Sequence, residues 1–451
     1  MTEQTRDEWL REFRKGLVTK NQAEFRRFVR HFRPYDLSII FTGLEQEEQS
    51  RLLDYLPDEQ LADMIQEMVH LEQLEVLTRL SKERTALVMD MMDNDDLAAL
   101  LDDLSPEQKS EFLQGMRGEE SQFVQNIMKY PPETAGRIMT NRYVWIREHH
   151  TVADVVQKLR SYAAIAETIN YLYVINEDRK LVGVVSYRSL ILAEPEEMIV
   201  DIMHTRVLSV PVHADQEEVA LLIQTYDFLA IPVVEDDQTL VGIITVDDIL
   251  DVVIEEAEED IRKMNATSGK SIDFNTPAAA AAYRRLPWLI LLLFIGLVSG
   301  TIISRFEETL DRIVALAFFM PMIAGMTGNT GTQSLAVIVR GLSAKPLNKS
   351  IVSRLLLREL KVGLIIGVIC GILITIIAYV WQQNFYLGLV IGSSLVATLI
   401  VGTMAGTVIP LLLYKFKVDP AVASGPLITT INDIISLFIY FGIATAFLTY
   451  L

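Results

Sequence analysis

Beyond Pro287 the chain turns abruptly apolar. WLILLLFIGLVSGTIIS is followed by apolar stretches near Ile313–Val339, Leu355–Trp381, Tyr386–Leu413 and Val422–Tyr450. Each is long enough for a hydrocarbon core of about 30 Å, so five membrane-spanning helices are predicted. The first 130 residues read differently. Leucines and methionines recur there at helical spacing. Pro57-Asp58-Glu59-Gln60 and Ser105-Pro106-Glu107-Gln108 supply caps and first-turn prolines, which predicts a superhelical stack of short helices. Between the two regions lies an internal repeat. Ile138-Met139-Thr140 returns as Ile202-Met203-His204, and Leu181-Val182-Gly183-Val184-Val185-Ser186 returns as Leu240-Val241-Gly242-Ile243-Ile244-Thr245. Each copy reads as a start motif, a helix, two apolar strands around a turn and a second helix. The predicted fold class is multidomain: an all-α superhelical N domain (1–130), two α/β repeats (131–200 and 201–250), an acidic connecting helix (251–275) and a five-helix α transmembrane domain (276–451).

Charge assigns the two halves to different sides of the membrane. Of the 59 Asp and Glu, 52 precede Ser271, against 28 of the 40 Lys and Arg. Arg284 and Arg285 precede the first span; Arg340, Lys345, Lys349 and Arg354 lie between the second and third; Lys415 and Lys417 lie between the fourth and fifth. By the positive-inside rule these segments are cytoplasmic. The opposite loops carry Arg305 and Arg312 offset by Glu307, Glu308 and Asp311, then Gln382-Gln383-Asn384. The acidic N-terminal domains are therefore expected in the cytosol and the C-terminus outside it. Such acidity disfavours a nucleic-acid partner and attracts cations. Cys370 is the only cysteine, so no disulfide framework or Cys-based zinc site is predicted. The charged N-terminus has no signal-peptide core. No P-loop, HExxH, G-x-S-x-G or nucleophile–histidine pairing is present, and all six histidines precede the apolar half, so an enzyme is not expected.

Candidate chemistry concentrates in three places. Asp433 is read as the one carboxylate well inside a span, where a charge costs at least ~2.5 kcal/mol and calls for a polar pathway or a partner. The second span carries Pro321, then Gly325-Met326-Thr327-Gly328-Asn329-Thr330-Gly331. Proline and glycines there predict either released carbonyls, which with Asn329 are hard oxygen donors, or close helix packing. The third place is Asp247 to Asp260, where carboxylates three and four apart share a helical face and repel. A divalent ion would relieve that repulsion; a solvated linker helix is the plainer reading.

The repeat resembles a pair of CBS domains, in which a Ser or Thr after the second strand, followed three residues on by Asp, holds a ribose. The second copy has Thr245 and Asp248; the first has Ser186 but Ser189 in place of Asp. Gly328-Asn329-Thr330-Gly331, Asp419-Pro420, Thr430 with Asp433, the acidic helix and the domain order together resemble the MgtE family of magnesium channels over essentially the whole chain. One departure is Ser436, where the family commonly has Gly. The resemblance implies a multi-pass homodimer in the bacterial cytoplasmic membrane that takes up Mg2+. Asp433, Asn329, Gly328, Gly331, Thr429 and Thr430 would form the pore site. Cytosolic Mg2+ would close it through Asp95, Asp96, Glu217, Asp227, Asp248, Asp251, Glu256, Glu259, Asp260 and Asp419. ATP would bind the CBS pair at Tyr171, Arg188, Phe228 and Thr245. The alternatives are a carrier of Co2+, Mn2+ or Ni2+, a Mg2+ exporter of the same architecture, and a membrane-anchored nucleotide sensor. The absence of His and Cys from the pathway disfavours the softer metals.

Overall fold

The computed structural model describes residues 3–19, 21–102, 104–162, 166–267, 272, 276–344 and 349–450. Lys345 and part of the 251–275 connector lie outside them. The chain folds as two compact units, Met1–Val253 and Ile254–Leu451.

The first unit begins with ten helices, from α1 (Glu3–Thr19) to α10 (Gly118–Ile127), including α4 (Gln46–Tyr55), α5 (Asp58–Gln66), α8 (Asn94–Asp102) and α9 (Pro106–Gly115). Their starts follow the sequence signals. Ser105 and Gln108 form a reciprocal capping box with Pro106 in the first turn of α9. Pro57 is instead the N-cap of α5, and Arg84 takes over the satisfying role: it bonds Asp58 at 2.8 Å and the carbonyls of Leu53 and Leu56 at the end of α4. One hydrophobic core runs from Phe13 through these helices into Val219, Ile244 and Val252.

Two three-stranded sheets follow. β1 (Tyr143–Arg147), β2 (Thr168–Ile175) and β3 (Leu181–Ser186) form one, and β4 (Val210–Pro211), β5 (Ala230–Val234) and β6 (Leu240–Thr245) the other. In each, the first pair is parallel and the second antiparallel. The helices of this region are α11 (Val152–Tyr162), α12 (Tyr187–Leu192), α13 (Ile199–Ile202) and α14 (Gln216–Tyr226). The start motifs cross over between copies. Thr140 bridges Ile243 of the second copy and His204 bridges Val184 of the first. Met139 packs on Gly242 and Met203 on Gly183, positions where a Cβ would meet the sulfur. Each copy thus completes the other's sheet. α15 (Val246–Met264) is the acidic helix.

The second unit contains α16 (Ala278–Arg305), the short α17 (Glu307–Arg312), α18 (Ala315–Ala344), α19 (Lys349–Gln382), α20 (Phe385–Lys415), a 3-10 turn at Pro420–Val422 and α21 (Gly425–Ala446). α16, α19, α20 and α21 are long and apolar enough to cross a membrane. α18 has the length, but its Gly-Asn-Thr-Gly stretch dilutes its apolarity. Glycines set the closeness of packing. Gly363, Gly367 and Gly371 on α19 abut the α20 backbone at Ile400, Val396 and Gly392, so small residues let two helices meet main chain to main chain.

Candidate cation sites

Asp433 sits in the third turn of α21. Thr429 and Thr430, one turn earlier, fold their hydroxyls back onto the carbonyls of Gly425 and Pro426 at 2.9 and 2.8 Å. Among the described residues the Asp433 carboxylate makes no hydrogen bond or ion pair. It is half-buried. A carboxylate so placed, without a basic mate, has a mobile cation as its natural counter-charge.

α18 stays helical through Pro321, which has no N–H to give the Ala317 carbonyl, so that carbonyl is freed without the helix breaking. The carbonyls of Ile323 and Met326 accept the Thr327 and Thr330 hydroxyls at 2.7 and 2.8 Å. Gly328 and Gly331 serve close packing. A Cβ on Gly328 would lie 2.8 Å from Thr429 Cγ2, and one on Gly331 would overlap the Asn432 amide. Asn329 is exposed on α18. Sequence reasoning passed over Asn432. It is fully buried, donates from Nδ2 to the Thr327 carbonyl at 3.3 Å, and its Oδ1 has no partner. Nor is Asp433 the one acid in a long apolar helix. Glu359 on α19 is 5% exposed, accepting from Ser334 Oγ at 3.0 Å and from Arg358 Nε and Nη2 at 3.0 and 2.8 Å.

In the first unit, folding brings carboxylates of the helical domain to those of the CBS-like repeats. Asp95 and Asp96 occupy the first turn of α8, where unpaired backbone N–H groups favour negative charge. Asp95 Oδ1 is buried with no hydrogen-bond partner. Burial, then Asp248, Asp96 and Glu167, hold the Asp95 carboxyl well above the usual carboxylate range. Asp248 is pushed up to about 6, by burial first, although the Thr245 hydroxyl and N–H (3.2 Å) donate to it. Glu167 keeps an exposed side chain, yet partial desolvation of its carboxyl and the nearby Asp248 and Asp93 push it up to about 7. Oxygens of Glu167, Asp247 and Asp248 lie within 4.8 Å of one another. Glu67 is raised too, by burial and by Asp96 and Asp251. Asp93 is the neutralised member, bonded by Arg142 at 2.9 Å and Gln66 at 2.6 Å. Raised carboxyls drawn together in this way hold either protons or a hard cation, and an all-oxygen set suits Mg2+ or Ca2+.

Other predicted residues are not gathered here. Glu217 lies in the first turn of α14 and Asp227 is its left-handed C-cap, about 15 Å along the helix, so one ion does not join them within a chain. Glu256, Glu259 and Asp260 belong to α15. Glu259 and Asp419 both pair with the Lys263 ammonium, Asp419 at 2.5 Å. Asp419 also caps the 3-10 turn through Ala421 N–H at 2.8 Å. Of the nucleotide residues, Tyr171 pairs with Ser186 in the first sheet, directly ahead of Arg188 in α12. Phe228 stacks on Tyr226 with centroids 5.5 Å apart. Thr245 is engaged with Asp248, whereas the Ser186 and Ser189 hydroxyls pair at 2.7 Å.

Comparison with known proteins covers the same regions. A family model described as a divalent cation transporter, MgtE, matches residues 320–443. The MgtE intracellular N domain matches residues 32–133, and the CBS domain matches 135–196 and 199–255. The chain is 59% identical over 425 residues to the magnesium transporter MgtE of Bacillus subtilis (strain 168), covering 94% of each chain. The protein of that name in Enterococcus faecalis is 40% identical, covering 96% of each chain. The crystal structure of the cytosolic domain of the Mg2+ channel MgtE in complex with ATP matches at 34% identity with a TM-score of 0.51, covering 54% of this chain and 99% of that one.

Proposed function

Because this chain belongs to the MgtE family of magnesium transporters, we propose that it is a homodimeric Mg2+ channel of the bacterial cytoplasmic membrane that cytosolic Mg2+ closes. It transports Mg2+ and is not an enzyme. The observation that carries the reading is Asp433, a carboxylate without a protein partner in an apolar helix. Two such carboxylates, one per chain, would hold a hydrated Mg2+ between them. Mg2+ surrenders water reluctantly and wants near-octahedral oxygen, so a pair of carboxylates acting through its water shell favours it over ions that must be stripped. The driving force is the ion's gradient and the membrane potential, about 2.3 kcal/mol per charge per 100 mV.

Closure would use the acidic cluster. Without Mg2+, Asp95, Asp248, Glu167 and their neighbours repel, and the helical domain is held less firmly to the CBS pair. Mg2+ neutralises them and selects the closed arrangement. α15 carries the change towards the membrane, with Glu256, Glu259 and Asp260 as further ligands and Glu217, Asp227 and Asp251 beside the second CBS copy. In this reading α16, α18, α19, α20 and α21 all span, the basic segments face the cytosol, and ATP binds at Tyr171, Arg188 and Phe228. Support for the ATP site is the likeness to an ATP-bound cytosolic domain.

The test is Mg2+ flux into proteoliposomes at low and high Mg2+ on the cytosolic face, comparing wild type with Asp433→Asn. Flux is expected to fall with cytosolic Mg2+ in wild type and to vanish in the variant. Undiminished flux in Asp433→Asn would sink the pore assignment; flux indifferent to cytosolic Mg2+ would sink the gate.

A further inference from the structure

A cavity of about 860 Å³ opens between α10 and the strands of the CBS pair, and none of Asp95, Asp248, Tyr171, Arg188 or Phe228 lines it. Its walls combine aromatic rings and positive charge. Phe123, Tyr143, Trp145 and Tyr162 contribute the rings, and Lys129, Arg142 and Arg179 the charge. The Lys158 ammonium stands 4.1 Å from the centroid of Trp145 and 5.4 Å from that of Tyr162, holding both rings in place without itself lining the cavity.

Arg179 sits in the β2–β3 turn with φ 63°, and its guanidinium makes no hydrogen bond or ion pair among the described residues. It lies close enough to the Tyr143 phenol to oppose the effect of burial on that group. The two acids of the lining are already engaged: Glu120 accepts from Asn94 at 2.9 Å and Glu235 from the Tyr130 hydroxyl at 2.7 Å. Arg142 is spent on Asp93 at 2.9 Å, which leaves Arg179 and Lys129 as the cations a ligand can use, neither held in an ion pair among the described residues.

That combination narrows the occupant. An apolar molecule or a cation would leave Arg179 and Lys129 without a counter-charge, and a bare inorganic anion would leave the rings unused. We propose that this cavity is a second nucleotide site, binding a nucleoside phosphate with its base stacked on Trp145 and Tyr162 and its phosphates at Arg179 and Lys129. The volume falls within the range of about 300–1,000 Å³ usual for small-molecule sites, and base–aromatic stacking tolerates any base. The ligand would join α10 of the helical domain to the CBS strands. It would therefore favour the arrangement in which the two are docked, a consequence that rests on the gating reading. Binding itself does not rest on it.

Equilibrium dialysis of radiolabelled ATP against the purified full-length protein tests this, in wild type and in a Tyr171→Ala/Arg188→Ala double variant. One class of binding is expected to survive in the double variant and to resist competition by equimolar inorganic phosphate. Trp145→Leu and, separately, Arg179→Gln should each weaken that class about tenfold or more. Arg179 is exposed in a turn, so its variant reports binding even where Trp145→Leu perturbs the sheet. Loss of all binding in a correctly folded double variant, or binding indifferent to Arg179→Gln, overturns the proposal. If wild type and double variant bind alike and both depend on Arg179, the Tyr171 site fails while this one stands.

Discussion

A Cβ on Gly331 would occupy the space of the Asn432 amide nitrogen. α18 and α21 meet there through the absence of a side chain, one residue away from Asp433. Overpacking a fitted contact costs about 1–3 kcal/mol. Gly331→Ala is therefore expected to lower the unfolding temperature in detergent and reduce Mg2+ flux, with Gly328→Ala following because of Thr429. Gly296→Ala, where nothing lies within 4 Å, should change neither. Wild-type flux and stability in Gly331→Ala would mean that this contact does not set the helix spacing.

The acidic cluster predicts a pH dependence with a definite sign. Asp248 and Glu167 are pushed up to about 6 and about 7 in the folded protein, and Asp95 is held well above the usual carboxylate range. The folded state thus binds these protons more tightly than the unfolded chain, so its stability falls as pH rises through that window. With EDTA present, the full-length protein should show cytosolic unfolding at a lower temperature at pH 8 than at pH 5.5. Mg2+ competes with the same protons and should restore stability most at the higher pH. Glu167→Gln should flatten the profile; an unchanged slope would show that Glu167 does not titrate there.

What the sequence disclosed follows from what is local in it. Apolar runs and the Ile-Met-Thr repeat survive as patterns, so the domain order was readable. The crossing of Met139 and Met203 onto the opposite copy was not, because recurrence marks a motif without saying which sheet it completes. Asp95 and Asp248 were found through a resemblance, but Glu67 and Glu167 joined them only by tertiary folding, having no spacing that marks them. Asn432 was visible as a polar residue beside Asp433 and was passed over for its charged neighbour. Glu359 falls within the Leu355–Trp381 stretch but has Arg358 and Lys361 beside it, and nothing in that local pattern says that folding buries its carboxylate.

Glu359 yields a test of its own. Its carboxylate is buried and held by the half-exposed Arg358 and by Ser334. Removing the cation leaves a buried charge with one neutral donor, which costs more than replacing the charge itself. Arg358→Ala should lose about 1–3 kcal/mol of stability, Glu359→Gln less, and the double variant should recover part of the loss of Arg358→Ala. Thermal unfolding in detergent reads all three. If the double variant is as unstable as Arg358→Ala, the guanidinium acts through packing of its stem and not through Glu359.

Lys263 carries the last prediction. Its ammonium lies between Glu259 of α15 and Asp419 ahead of α21. Burial alone would lower its pKa, but Asp419 and Glu259 outweigh it and the group is raised, so it is charged at physiological pH. It therefore supplies, from within the chain, positive charge where two proposed Mg2+ ligands face each other. Lys263→Met removes it and leaves like charges opposed, so the end of α15 should detach more readily when divalent ions are absent. Limited proteolysis of the connector in EDTA should run faster than in wild type. Mg2+ can then bridge Glu259 and Asp419 directly, so adding it should slow cleavage of the variant by a larger factor than it slows wild type. Equal cleavage of both proteins in EDTA would show that the ion pair does not hold the helix; faster cleavage that Mg2+ fails to slow would show that Glu259 and Asp419 hold the helix through lysine alone.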